Sequence, residues 1–147
     1  MEDKVILNET PPNWEAIVER FPAAKEMAMN VVITYYPHIY IPGGMQITPD
    51  VRIHENIHLY QQRELGVEKW WEQYLTDDDF RLSQEVEAYG AQLAVFKDFG
   101  TKVFEHHKNR LAQDLSSQMY GAIISFGQAA SKIRRLANEI HNAKTID

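Results

Sequence analysis

The chain has no cysteine among its 147 residues. Disulfide staples, thiolate metal sites and a cysteine nucleophile are therefore excluded. Positive charge is also scarce: 15 Lys and Arg stand against 21 Asp and Glu, for a formal net charge of -6, and no long basic block occurs. Such a balance does not suit a nucleic-acid binder, whose affinity rests on neutralising phosphates. Apolar runs stay well short of the ~20 residues that a bilayer span requires, so no membrane insertion is expected. The start, MEDKVILNET, is acidic and lacks a basic region followed by an apolar stretch, so no secretory signal is expected and the compartment reads as cytoplasmic. Glycine-rich phosphate loops and serine-centred nucleophile motifs are missing too.

What remains suits one folded domain over 1–147. Hydrophobic residues make up 44% and charged residues 24%, ordinary globular usage that argues against disorder, and the length supports a core of its own. TPPNWEAIVERF predicts a helix capped by Asn13, with Trp14, Ile17, Val18 and Phe21 at helical spacing before Pro22 interrupts. NVVITYYPHIYIPGG is β-branched and aromatic, broken by Pro37 and Gly43-Gly44, and predicts two short strands or a hairpin. A helix follows from Pro49 to Leu65, stopped by Gly66, and VEKWWEQYL continues as a second, shorter one. Asp77 can cap a long helix through FRLSQEVEAYGAQLAVFKDF, closed by Gly100, and TKVFEHHKNRLAQDL makes another. Ser125 and Gln128 form a capping-box pattern ahead of AASKIRRLANEIH. The expected fold class is mainly α (α+β), with a small β-hairpin before the helix that starts at Pro49.

That helix carries HENIH, the H-E-x-x-H pattern formed by His54, Glu55 and His58. Residues four apart share a helix face, so both imidazoles can reach one ion. Glu55 is turned about 100° away and can face a water beside the ion. On a helical wheel Ile53, Ile57, Tyr60 and Gln61 define the expected buried side, with His54 and His58 at its margin and Glu55 further out. A hydrolytic zinc site takes three protein ligands, so a third is required. RLSQEVEAYGAQLAVF offers Glu85 and Glu87, which point in different directions. Glu85 borders the apolar stripe of Leu82, Val86, Tyr89, Leu93 and Phe96, whereas Glu87 falls toward the solvated face, so Glu85 is the expected ligand. His106 and His107 are a rival source, of which at most one can help.

HENIH followed on a later helix by EVEAY resembles the gluzincin metallopeptidases, whose third ligand is a glutamate in an E-x-x-A-D or E-x-x-A-N context. The resemblance implies a zincin-like domain with His54, His58 and Glu85 as Zn2+ ligands, Glu55 as general base and Ala88 at a position of close helix packing. Tyr89 stands where many gluzincins carry an acidic or amide residue that orients a histidine. Its hydroxyl could supply that bond or stabilise an oxyanion. Across Val31 to Ala130 the chain also resembles small metallopeptidase-like proteins of phages and prophages, which places it in the host cytoplasm or the virion and brings no substrate. The activity expected is zinc-dependent cleavage of an amide bond in a peptide or protein. The alternative is a zinc-containing structural or assembly protein, a virion component whose partners are other phage structural proteins. WWEQYL is expected to be core between the ligand helices before a stacking platform, and NVVITYY a hairpin closing the core before an edge strand open to a peptide.

Overall fold

In the computed structural model, which describes residues 3–146, seven α-helices accompany a small sheet. The order is β1 (Lys4–Leu7), α1 (Trp14–Arg20), α2 (Ala23–Glu26), β2 (Ile33–Tyr35), β3 (His38–Ile41), α3 (Pro49–Leu65), α4 (Val67–Thr76), α5 (Asp78–Ala94), α6 (Thr101–Leu115) and α7 (Phe126–Ile146). The mainly α (α+β) class is as expected. Among the described residues no helix is long and apolar enough to cross a membrane.

The hairpin read from NVVITYYPHIYIPGG is β2 against β3, antiparallel, with Thr34 opposite Ile39 and a cis Tyr36-Pro37 bond in the turn. A third strand completes the sheet in the order β1-β3-β2, β1 running parallel to β3 with Val5 opposite Ile39. Nothing in the sequence reading anticipated β1. Its four residues, KVIL, pair with a strand more than thirty positions away, and no local turn marks them. The central β3 is the buried one: Ile39 and Ile41 pack on Leu59 of α3.

Helix boundaries largely follow their local chemistry. Asp77 caps α5 by accepting from the Phe80 amide at 3.1 Å, and Ser125 caps α7 by accepting from the Gln128 amide at 3.2 Å. Gly66, at φ 95, ends α3 and starts α4 in a conformation that suits glycine. Two readings are corrected. Asn13 precedes α1 but its side chain makes no cap bond, and both its polar atoms lie buried without a partner. The long helix stops at Ala94 and not near Gly100, because the chain tightens into a 3-10 turn over Lys97–Phe99. That turn accompanies the stacking of Phe96 on His107, ring centroids 3.7 Å apart.

The cores explain why α5 is central. Tyr89, Leu93 and Ala94 pack with Phe104, Leu111 and Leu115 of α6 and with Ala129, Ile133 and Ala137 of α7. On its other side the aromatic cluster Trp70, Trp71 and Tyr74 packs on Ile17 and Phe21, so WWEQYL is core, as expected. Ala88 is fully buried. Gly90 permits the close approach of α7: a Cβ there would stand 2.6 Å from Leu136 Cδ2 and 2.9 Å from Leu136 Cβ. Gly90→Ala is therefore expected to destabilise by about 1–3 kcal/mol through overpacking, against alanine's better helix propensity. Denaturant unfolding of Gly90→Ala, Leu136→Ala and the double variant should give a favourable coupling between the two sites. A Gly90→Ala protein more stable than the wild type would show that α5 and α7 do not meet this closely.

Candidate metal centre

The buried side of α3 is polar. His54, Glu55, His58, Gln61 and Gln62 are all buried, while Tyr60 is 55% exposed and Ile53 and Ile57 are only half-buried. The wheel centred on Ile53, Ile57 and Tyr60 is thus rotated from the true one. Apolar residues ordinarily mark the core side, but this helix turns its polar face inward against α5 and β2. Leu59 and Gln61 share that inner side, so only Gln61 of the expected set is retained.

Glu85 comes from the facing helix, α5. Its Oε1 lies 3.2 Å from His54 Nε2 and 3.3 Å from His58 Nε2, and the two Nε2 atoms are 3.1 Å apart. A tetrahedral ion with ligands at ~2.0–2.1 Å would hold such ligands about 3.3 Å apart. Among the described residues, this trio forms the group of His, Asp and Glu side chains able to hold a metal ion. Glu85 Oε1 is buried and meets no well-aligned hydrogen-bond donor, although its sister Oε2 accepts from the Tyr74 hydroxyl at 2.6 Å. An orphaned carboxylate oxygen facing two ring nitrogens fits a cation.

The surrounding amides settle which ring nitrogens face inward. Asp50 is held ionised: burial opposes its charge, but hydrogen bonds from Gln92 and Thr48 and the nearby Arg110 lower its pKa overall. As an acceptor only, it takes the Gln92 Nε2 donor at 2.9 Å. Gln92 Oε1 then faces His54 Nδ1 at 3.0 Å, so that nitrogen carries the hydrogen. The same logic holds for His58. Gln61 Nε2 donates to the Gln84 carbonyl at 3.1 Å, and Gln61 Oε1 therefore receives the His58 Nδ1 hydrogen at 2.8 Å. Both Nε2 atoms consequently face Glu85 Oε1, and once His58 has lost its Nε2 proton both rings are in the tautomer that metal ligation requires.

Electrostatics follow from that convergence. For Glu85, burial alone would raise the pKa, but the two histidines outweigh it and hold the carboxyl well below the usual range. For His58, burial alone would favour the neutral ring, yet Glu85, Glu55 and the Gln61 bond raise its pKa to about 9. Burial, reinforced by the Glu85 charge, pushes the Tyr74 phenol well up, so it stays a donor to Glu85.

Glu55 is beside the trio and not in it. Its Oε2 accepts from the Thr34 hydroxyl of β2 at 2.6 Å, and the residue lines two cavities that share this wall. The smaller, about 90 Å³, has apolar walls; the larger is about 280 Å³. Glu87 is exposed, as expected, and reaches only Gln61 Nε2 at 3.3 Å. Tyr89 does not orient a histidine: its ring stands edge-on to His54 at 4.4 Å, while its hydroxyl shares a 2.6 Å bond with the Tyr120 hydroxyl. The orienting bond expected of Tyr89 comes from Gln92, one turn on. His106 is exposed, His107 stacks on Phe96, and neither lines a cavity at the trio.

Several site residues escaped the sequence reading: Thr34, Gln61 in its orienting role, Tyr74, Gln92 and Arg81. Two of them left a signal, since Gln61 lies one turn from His58 and Gln92 two turns from Glu85 on the same face. Arg81 left none. It is fully buried, donates to the carbonyls of Tyr74 and Tyr120, and pairs with Asp78, tying the end of α4 and the turn before α7 to the site. The chain matches no protein-family model, no curated protein and no solved structure.

Two outcomes are expected in metal titrations. Glu85→Ala should abolish tight binding, Gln92→Ala should weaken it by about 10–100-fold, and Glu87→Ala should leave it nearly unchanged. Equal losses for Glu85→Ala and Glu87→Ala would contradict the assignment. Binding should also release protons. With the His58 pKa raised to about 9, the ring is protonated at neutral pH in the metal-free protein, and its Nε2 must shed that proton to ligate. The same shift makes His58 stabilise the metal-free fold fully below its ordinary pKa of ~6.5, an effect lost as pH rises through about 9. Calorimetry at pH 7.5 in buffers of different ionisation enthalpy should find about one proton released per ion, and no release would contradict this protonation state.

Proposed function

We propose that this chain is a zinc-dependent hydrolase that cleaves an amide bond. The observation that carries the reading is the placement of a carboxylate beside a three-ligand cluster without joining it. His54, His58 and Glu85 would hold the ion, and Glu55 would serve as the base. Bound there, zinc would polarise a carbonyl and bring the pKa of a water toward neutrality.

The protein's own residues would do the rest. Gln92 and Gln61 hold the imidazoles in the ligating tautomer. Thr34 holds one oxygen of Glu55, leaving the other to take a proton from a water and return it to the leaving amine. Tyr74 keeps Glu85 from turning away. Tyr120 lines both cavities and shares a hydrogen bond with Tyr89; where Tyr89 is the donor in that bond, the Tyr120 hydroxyl would keep its proton for a developing oxyanion.

Two histidines and a carboxylate also suit iron(II). What favours zinc is Glu55, a carboxylate that hydrolysis uses and an iron oxygenase site does not need. A non-catalytic zinc scaffold is the second reading, and the near-complete burial of the trio favours it: His54, His58 and Glu85 are 6%, 5% and 3% exposed. Against it, a structural site is closed by four protein ligands, and three are gathered here.

Glu55→Gln separates the two. It retains size and the bond to Thr34 while removing basicity. Metal content and melting temperature should stay nearly unchanged, while any amide hydrolysis falls by about 10²–10⁴. Activity that survives intact would refute Glu55 as the base, and loss of the metal would make Glu55 a ligand after all.

A further inference from the structure

The outer edge of β2 is already occupied at the Thr34 carbonyl and the Tyr36 amide. The Thr34 carbonyl accepts from Gln62 Nε2 at 2.9 Å and from Trp71 Nε1 at 3.2 Å, while the Tyr36 amide donates to Gln62 Oε1 at 2.7 Å. The Gln62 side-chain amide thus sits where the peptide group of an added strand would sit. An extended chain cannot pair with the Thr34 carbonyl or the Tyr36 amide, the usual way a strand edge captures a peptide. Gln62 is fully buried and Trp71 nearly so, so neither moves aside without opening the core.

Recognition is left to the cavities. The one beside the trio measures about 90 Å³, and Ile17, Phe21, Val31, Ile33 and Met119 give it apolar walls. An apolar protein cavity of ~150 Å³ accepts benzene. The smaller space here suits a branched aliphatic group better than an aromatic ring. The larger cavity, about 280 Å³, adjoins it across Val31, Val32, His54 and Glu55 and offers Asn30, Arg110, Asp114 and Ser117 as polar surface.

We infer that the substrate is a short amide entering end-on, with an aliphatic group of valine-to-leucine size in the small cavity and its polar remainder in the larger one. An extended polypeptide lying along β2 is not the substrate. For its chemistry the inference rests on the hydrolase reading; for binding it does not.

The test uses isovaleramide, benzamide and casein. Isovaleramide should shift the methyl signals of labelled Ile17, Ile33 and Met119 in NMR titrations of the whole protein, with and without zinc, and benzamide should bind about tenfold more weakly or worse. Met119→Ala should recover about tenfold for benzamide by enlarging the cavity. The wild-type comparison stands alone if that variant does not fold. Zinc-loaded protein should hydrolyse short aliphatic amides and leave internal bonds of casein uncut. Binding of isovaleramide without turnover would support the pocket while sinking the hydrolase. Internal cleavage of casein would overturn the inference while leaving the hydrolase intact. Benzamide binding as tightly as isovaleramide, or no shift at the three methyl groups, would also overturn it.

Discussion

Three buried atoms bearing lone pairs, His54 Nε2, His58 Nε2 and Glu85 Oε1, stand 3.1–3.3 Å from one another. Left uncompensated, such a convergence is repulsive and costly in a low-dielectric interior. Only positive charge at its centre makes it favourable, whether a proton shared from His58 or a metal ion. Much of the fold serves to hold the three together. The long helices α3 and α5 pack against each other, Gly90 brings α7 against the back of α5, and the aromatic cluster on α4 carries Tyr74 to Glu85.

Around this cluster lies a second layer made of amides. Each histidine turns its Nδ1 hydrogen toward a glutamine oxygen, and each glutamine is in turn oriented by an acceptor that cannot be reversed: Asp50 for Gln92, the Gln84 carbonyl for Gln61. The two ligand rings are thereby held without a carboxylate in direct contact with either Nδ1. One negative and two neutral groups would leave a divalent ion with a net positive charge, which would favour acidifying a water. The same economy of groups appears at β2, where Gln62 anchors the strand whose Thr34 steadies Glu55.

Much of this was legible in the sequence, for reasons that are themselves local. The spacing of His54 and His58 is a property of one helix, and Glu85 could be chosen over Glu87 because it borders an apolar stripe. Asp77, Ser125 and Gly66 declare their helix ends through side-chain or backbone chemistry within four residues. What escaped depends on distant partners or on polar residues turned inward. β1 has no meaning without β3. The inner face of α3 is hidden from periodicity because Tyr60 and the isoleucines have the pattern of a core face, whereas glutamines and histidines fill that role. Gln92 meets His54 across 38 positions, a contact no periodicity announces. Of the two roles open to Tyr89 in the sequence, the histidine-orienting bond is made by Gln92 instead.

Convergence of those three atoms on one ion is directly measurable. X-ray absorption at the zinc edge, on protein loaded with one equivalent and freed of excess, reads that shell directly. The account predicts one ion per chain with two imidazole nitrogens and one carboxylate oxygen at ~2.0–2.2 Å, plus a further light ligand that exchanges with solvent. A protein that retains no stoichiometric ion, or a shell with only one imidazole, would contradict it.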